Sequence, residues 1–407
     1  MRSTILMVPT GLGVGLTSVT LGLIHAIESQ GISAKYLNPF ENTDHVERLL
    51  SEGKEGQVLE EVITQVEAEG VENGVLIIQG IISTQLRPYA PNLNSALSNA
   101  LDAEIVFVAT PGGKTLEEFK KHILIAAKPY GGIENPRTIG CMINKIGAPI
   151  DQYGNARIDL FDPPENPDEE SAFLQIFTHK HFKVLGCFPW KRHLMAPRVK
   201  DVVKHLNAEI ISKGKLESNR VNFFALAGAT IENVAAILKP EALIITPSDR
   251  SDTMIATCIA YLSGIKIAGL LLTGNYSPSL KALKLCDEAM KKGLPVLKVY
   301  TDSLRTAISL QNLNVKIPTD DLERSTELKE FVASHIDTSW VKELISNQTE
   351  RCLSPPAFRH QLMLKAQKGR KKIILPEGED PRIIEAAAIC AEKRIAQIVL
   401  LGDREKI

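Results

Sequence analysis

The chain has 407 residues, of which 44% are hydrophobic and 23% are charged, and its formal net charge is -1 at pH 7. This length predicts about two or three domains, each large enough to bury a core. A net charge near zero gives no reason to expect a nucleic acid or an anionic membrane surface as a partner. The sequence contains neither an apolar run long enough to cross a membrane nor a signal-peptide layout, so it predicts a cytoplasmic protein.

A glycine-rich turn between a strand and a helix opens the chain. The apolar run at residues 5–8 predicts a buried strand, and the residues that follow Thr17 show the period of an amphipathic helix. This layout directs backbone N–H groups and the positive end of a helix at a phosphate. The candidate anion- or nucleotide-binding residues are Thr10, Gly11, Gly13, Gly15, Thr17 and Ser18.

This turn departs from a working P-loop at the positions that carry chemistry. Leu16 occupies the place of the lysine that reaches the phosphates, and Thr10 occupies the place of the first glycine. Gln79 follows the apolar run at 75–78, where P-loop enzymes often carry a carboxylate for magnesium. We therefore expect no ATP or GTP hydrolysis. Two interpretations stay open, a surviving anion site and a tight turn that only packs the helix on the strand.

Further apolar runs in the first half of the chain predict more strands, with helical segments between them. These runs lie at residues 34–37, 75–78, 104–108, 138–145 and 184–190. Alternating strands and helices are typical of a mostly parallel, doubly wound sheet. We therefore predict a P-loop-like α/β domain at residues 1–215. The stretch 151–168, rich in Asp, Pro, Asn and Gly, predicts a surface excursion of this domain.

Histidines and cysteines give little sign of a metal centre. His179 and His181 flank Lys180, and their spacing without adjacent carboxylates favours a solvated turn over a metal pair. The six cysteines are widely spaced and form no CxxC pair, which favours reduced, buried, apolar side chains. We expect no metal and no covalently bound cofactor.

A second, smaller α/β domain is predicted at residues 216–346. Its strand candidates lie at 222–226, 243–245, 267–272 and 296–300, with helical periodicity between them. The turn after the second of these strands carries Ser248, Asp249, Arg250 and Asp252. These side chains can cap the following helix, or they can form an anion or effector pocket. Both interpretations stay open.

The last part of the chain predicts a linker and the first βαβ unit of a third α/β domain. Residues 347–356 have linker composition, and residues 357–407 contain two apolar strands, at 373–375 and 398–401, around a helix. Between the first strand and that helix stand Glu377, Gly378 and Arg382. They either border a substrate cleft or belong to a helix start with acidic residues and an early proline. A piece this small with unpaired strand edges is expected to be unstable or to pack on another chain.

Taken together, these motifs resemble the long, multidomain bacterial form of phosphate acetyltransferase. The opening at residues 9–18 resembles that family's degenerate P-loop, and Asp249-Arg250 resembles the start of the Asp-Arg-Thr-Gly-Gly motif of its middle module. Residues 353–359 and 375–382 resemble the opening of its catalytic domain. The first domain is also similar to dethiobiotin synthetase.

The resemblance implies acetyl transfer between acetyl-CoA and inorganic phosphate, which yields acetyl phosphate and CoA. It implies these small molecules as substrates of the complete enzyme, with metabolite effectors and a homo-oligomer. The family's catalytic domain is longer than the part that follows Pro356, so we expect no catalytic residue here and a role in regulation and assembly. The alternative is an NTP-dependent ligase of the dethiobiotin synthetase type, which Leu16 disfavours.

Overall fold

The computed structural model describes residues 2–41, 43–69, 74–149, 167–313, 317–346, 355–369 and 371–404. The excursion predicted at 151–168 and the linker predicted at 347–356 lie almost entirely outside these residues. The chain divides into two compact units. The first unit comprises Met1–Asn144, Ser171–Phe188 and Val332–Ile407, and the second comprises Lys145–Glu170 and Pro189–Phe331.

Strands and helices alternate along the described chain. The first elements are β1 (Arg2–Pro9), α1 (Leu16–Glu28), β2 (Ala34–Leu37), α2 (Thr43–Ser51), α3 (Glu55–Ala68), β3 (Gly74–Gln79), α4 (Ala90–Leu101), β4 (Glu104–Ala109), α5 (Leu116–Ala127), β5 (Thr138–Ile146), α6 (Pro167–Leu174) and β6 (Lys183–Pro189). Next come α7 (Val199–Leu206), β7 (Glu209–Ser212), β8 (Phe223–Leu226), α8 (Ile231–Val234), β9 (Ala242–Pro247), α9 (Ser251–Leu262), β10 (Gly269–Thr273), α10 (Leu280–Lys291), β11 (Val296–Lys298) and α11 (Ser303–Gln311). The last are α12 (Leu322–Ser334), α13 (Ser339–Ser346), α14 (Pro355–Gly369), β12 (Lys372–Leu375), α15 (Pro381–Glu392) and β13 (Gln397–Leu400).

The first sheet has six parallel strands in the order β2-β3-β1-β4-β5-β6. Its central strands are continuous apolar runs, and Ile5, Leu76 and Val106 are fully buried, as expected for strands covered on both faces. The chain passes from β1 towards β2 on one side and from β4 towards β5 on the other. The loops after β1 and β4 therefore flank a topological switch point, where open α/β sheets collect ligands. The predicted α/β class and doubly wound sheet are confirmed.

The second sheet has five strands in the order β7-β11-β10-β9-β8. Strands β8 to β11 are parallel, while β7 pairs antiparallel with β11. Side chains alternate between two cores. Ile244 and Leu270 pack with residues of α9 and α10, and Leu243 and Leu271 pack with residues of α7 and α11. The second α/β fold is confirmed, although the sequence did not predict the edge strand β7, which is half exposed and polar at both ends.

The segment after residue 355 forms the predicted βαβ unit, in which β12 and β13 pair in parallel. The helix that precedes it, α14, packs against α3 and α4 of the first unit. From the sequence we expected this piece to be unstable or to pack on another chain. The structure instead packs α14 against helices of its own chain.

The cysteines behave as predicted wherever the structure describes them. Cys141, Cys187, Cys258 and Cys286 are buried free thiols, and Cys390 is a partly exposed one. Burial raises the pKa of Cys141 far above the usual range, so this thiol stays protonated at neutral pH. Among the described helices, none combines the length and the apolar character needed to cross a bilayer.

Candidate functional site

The glycine-rich loop leaves β1 and enters α1 with an open helix end. Gly13 and Gly15 have φ angles of 68° and 77°, in the left-handed region that favours glycine. Gly15 is the N-cap of α1, and since it has no side chain it provides no side-chain cap. A helix start without a side-chain cap is the feature that an anion site requires.

Hydrogen bonds hold the loop beside the end of β4. The backbone N–H and the hydroxyl of Thr10 donate to the carbonyl of Val108, at 3.0 and 3.3 Å. The amide of Asn144 donates to the carbonyl of Val14 at 2.9 Å. The loop therefore lies at the switch point, and Thr10 anchors it there. Gly11 has open space around it, since an added Cβ would meet no atom within 4 Å.

The positions that depart from a P-loop are occupied by neutral, structural contacts. Leu16 is only 4% exposed and belongs to the core. Gln79 accepts hydrogen bonds from the hydroxyls of Tyr36, at 2.7 Å, and Thr17, at 3.4 Å. Its amide thus links α1 to β2 without supplying a charge. Ser18, in the first turn of α1, is half-buried.

A second glycine-rich loop, which our sequence analysis missed, follows β4 and carries a lysine. Gly112 and Gly113 have φ angles of 61° and 73°, and Lys114 comes next. His122 of α5 hydrogen-bonds the backbone of Thr10, and its pKa is lowered by burial and by the charge of Lys114. Lys114 is therefore within electrostatic reach of His122, and its ammonium group lies 3.5 Å from the carbonyl of Pro111 in its own loop. The signal was present as Gly-Gly-Lys-Thr between a predicted strand and a predicted helix.

The two loops differ in how their helices begin. The hydroxyl of Thr115 caps α5, and Glu118 accepts a hydrogen bond from the backbone N–H of Thr115 in return. This reciprocal arrangement occupies the start of α5. Of these two helix starts, α5 has a side-chain cap and α1 has none.

The predicted pocket of the second domain is built mainly as a helix start. Arg250 donates two hydrogen bonds to Asp252, each of 2.8 Å, and another to the carbonyl of Ala229. The hydrogen bonds from Arg250 lower the pKa of Asp252 to about 2, although burial opposes the shift. Asp252 also accepts from N–H groups at the start of α9. This geometry agrees with the capping interpretation.

The other two residues of this set lie apart from that pair. The hydroxyl of Ser248 is buried and donates to the carbonyl of Thr273 at 2.9 Å, which ties β9 to β10. Asp249 is exposed to solvent. The structure therefore brings Arg250 and Asp252 together but not all four side chains.

The third candidate set also begins a helix. Asp380 is the N-cap of α15, accepts from the backbone N–H of Arg382 and pairs with its guanidinium at 2.8 Å. A Cβ on Gly378 would lie 2.7 Å from the carbonyl oxygen of Leu401, so the loop passes too close to β13 for any other residue. Glu377 and the side chain of Arg382 are exposed. That Glu377, Gly378 and Arg382 border a substrate cleft stays a prediction.

The two histidines do not form a metal pair. Nε2 of His179 lies 2.9 Å from a carboxylate oxygen of Glu134, and Nδ1 of His179 accepts from the backbone of His181. Among the described residues no group of three potential metal ligands occurs.

A buried ionic cluster in the second unit was also missed. Arg324 is 2% exposed, and burial lowers its pKa to about 10. Asp321 is 3% exposed and forms two hydrogen bonds with Arg220, of 2.5 and 2.7 Å. Arg198 pairs with Asp201 and Asp320 at 3.0 and 3.1 Å. Arg198 and Arg220 are thus paired with carboxylates inside the fold. Charge alone does not reveal this, because a solvated helix has the same composition.

Comparisons with known proteins identify two regions. Residues 201–313 match the family described as "DRTGG domain", and residues 357–407 match the family described as "Phosphate acetyl/butaryl transferase". A solved structure of the CBS and DRTGG domains of a Clostridium perfringens pyrophosphatase, complexed with diadenosine tetraphosphate, is 20% identical over 33% of this chain and 56% of its own. Its TM-score is 0.26, too low to establish a shared fold.

Whole-chain relatives are phosphate acetyltransferases. The protein from Pseudomonas aeruginosa is 36% identical over 99% of this chain, that from Salmonella typhimurium 34% over 100%, and that from Escherichia coli 35% over 100%. The chain spans 61 to 62% of the length of these relatives. By sequence, the chain is therefore similar along its whole length to the long, multidomain phosphate acetyltransferases.

Proposed function

We propose that this chain is part of a phosphate acetyltransferase, which transfers an acetyl group between acetyl-CoA and inorganic phosphate. The observation that carries the proposal is the similarity of the whole chain, in order, to proteins of that name. The match of residues 357–407 to the transferase family supports it further. The substrates would be acetyl-CoA, CoA and phosphate.

Within that enzyme, we propose that this chain serves regulation and assembly. Acyl transfer from a thioester needs donors that stabilise the developing oxyanion and a site that holds the phosphate nucleophile. The described residues of 355–404 show a capped helix start and exposed side chains rather than converging donors. A cytoplasmic homo-oligomer that responds to metabolites is the setting we propose.

We further propose that the loop at residues 10–15 binds the phosphate groups of such a metabolite. The open N-terminus of α1 and the cation of the neighbouring Lys114 supply the two attractions that a phosphate needs. The side chains at Ser248, Asp249, Arg250 and Asp252 are a second, weaker effector site in this proposal, because Asp252 already occupies the start of α9.

The ligase alternative finds no support in this site. A ligase that activates a substrate with ATP needs cations and a metal to neutralise the transferring phosphoryl group. Leu16 is buried and uncharged, and Gln79 is engaged with two hydroxyls. These contacts are consistent with a loop that binds phosphate groups and does not transfer them.

A chimera tests the transferase proposal. In the Pseudomonas aeruginosa relative, the region aligned with this chain is replaced by residues 1–407, and CoA release from acetyl-CoA and phosphate is followed with a thiol reagent. We expect activity within about tenfold of the unaltered relative. The relative with its aligned region deleted is the control. A folded chimera that releases no CoA would contradict the proposal.

A further inference from the structure

The segment that matches the transferase family packs on helices of the first unit through one face of α14. Helix α14 packs against α3 and α4. His360 is buried, and the less exposed positions of α14 include 357, 360, 363 and 366. This spacing corresponds to a single face of a helix. Phe358 and Leu362, on other positions, are about half exposed.

One carboxylate on α3 contacts both helices of this segment. Glu60 accepts a hydrogen bond from the ammonium group of Lys393 at 2.7 Å, and its other oxygen lies 3.9 Å from Nε of Arg359. Arg359 is in the first turns of α14, while Lys393 directly follows α15. Gln367 of α14 donates to the carbonyl of Lys393 at 2.8 Å. Glu60 is therefore the common partner of α14 and α15.

The position of Glu60 is fixed by its own helix. Val58, Leu59, Val62 and Ile63 of α3 are buried, so this helix cannot rotate without exposing them. The side chain of Glu60 is only 19% exposed, which leaves water a limited role in screening its charge. A partly buried carboxylate between two cations is costly to replace with a positive charge.

We propose that α3 is the docking helix for the transferase segment and that Glu60 is the residue that positions this segment on the first sheet. A movement of α3 is then a movement of the start of the transferase segment. The inference uses the family match of residues 357–407 and does not depend on transferase activity.

Hydrogen–deuterium exchange of the whole chain tests this proposal. In Glu60→Lys, three positive charges meet where two faced a carboxylate. We expect exchange in α14 to rise by at least about threefold, while β1 and β3 exchange as in the wild type. Lys393→Glu alone should have the same effect. The double variant Glu60→Lys/Lys393→Glu should return α14 close to the wild-type rate, because the pair is restored with its signs exchanged.

Glu61→Lys is the matched control. Glu61 is the next residue of α3, but it faces His45 of α2 at 2.9 Å. This variant should leave the exchange of α14 unchanged. The proposal is overturned if α14 exchanges equally fast in the wild type and in Glu60→Lys, or if the double variant does not recover protection. These readouts need no CoA release, so they are independent of the chimera's outcome.

Discussion

A P-loop lysine stands at the start of the helix and also supplies a positive charge. In this chain the two roles belong to different residues, Leu16 and Lys114, which lie at two glycine-rich loops. Leu16 starts α1 and fills the core, while Lys114 comes from the loop after β4. A helix start without a side-chain cap attracts phosphate when a cation is near, but the buried Leu16 and the neutral Gln79 supply neither the lysine nor the carboxylate that P-loop phosphoryl transfer uses. At the scale of residues, we therefore propose that the first sheet binds phosphate groups and does not catalyse their transfer.

Exchanging the cation between the loops tests this view. Lys114→Gln should weaken the binding of pyrophosphate about tenfold, since a charge-assisted hydrogen bond is lost. Leu16→Lys in the same chain should restore much of that loss if the loop holds phosphate as a P-loop does. Titration calorimetry measures both. Leu16→Met controls for the changed side-chain shape, and an unaltered affinity in Lys114→Gln would mean that the loop does not bind phosphate.

Gly22 shows a second constraint on α1. A Cβ at this position would lie 2.2 Å from Cγ1 of Val332, within the first unit. Alanine normally favours a helix over glycine, but here it would collide with a packed side chain. We expect Gly22→Ala to lower the free energy of unfolding by about 1–3 kcal/mol.

Gly56→Ala, in α3, is the comparison for this substitution. An added Cβ there meets no atom within 4 Å, so its effect should be neutral or slightly stabilising. Urea denaturation of the two variants measures the difference. Equal stability of Gly22→Ala and Gly56→Ala would show that α1 and Val332 are not packed this closely.

The elements followed from the sequence better than the ionic contacts between them. The apolar runs placed β1, β3 and β4 within a few residues, because strands buried on both faces consist mostly of apolar side chains. The half-exposed strand β7 has no such pattern. The sequence also did not predict the ionic contacts of Arg324 and Glu60. A residue in a buried ion pair cannot be told from a solvated charged residue by sequence until the position of its partner is known.

The ionic cluster of the second unit is the strongest of these missed contacts. Asp321 is buried between Arg220 and Arg198 and close to Arg324. Asp321→Asn would remove the buried carboxylate that faces Arg220 and lies close to Arg324. We expect a loss of about 3 kcal/mol in the free energy of unfolding. Glu323→Gln, in the first turn of α12, removes only an exposed ion pair with Arg220 and should cost less than about 1 kcal/mol. Similar losses in the two variants would contradict the burial of the cluster.

The same cluster predicts a dependence on pH. Burial alone would raise the pKa of Asp321, but the hydrogen bonds and charge of Arg220 outweigh it and hold the pKa below its ordinary value. Hydrogen bonds from Arg198 and Lys200 hold the pKa of Asp320 well below the usual range. Carboxyls with a lowered folded-state pKa stabilise the fold above the unfolded pKa, and this contribution is lost as pH falls through the folded pKa.

Stability should therefore be constant near neutral pH and fall below about pH 4, the ordinary carboxyl pKa. Asp320→Asn removes one of the titrating groups and should flatten that fall. Thermal melting between neutral and acidic pH measures the slope. An unchanged slope in Asp320→Asn would show that this carboxyl is not bound to Arg198 in solution.

At the scale of the whole molecule, the chain combines two α/β sheets with the start of a transferase fold. In our proposals the glycine loops bind phosphate groups, and α3 positions residues 355–404 through its packing against α14. The sequence predicted this order of parts from motifs at residues 9–18, 249–250 and 375–382. Its prediction that residues 1–407 carry no transferase chemistry rests on the family's longer catalytic domain.

Release of CoA by purified residues 1–407 tests that central claim most directly. The chain is incubated with acetyl-CoA and phosphate, and free thiol is followed against a buffer blank and against the unaltered Pseudomonas aeruginosa relative. The account predicts no release above the blank, although the relative is active in the same assay. Phosphate-dependent release that scales with the concentration of the chain would show that a complete catalytic site lies within residues 1–407.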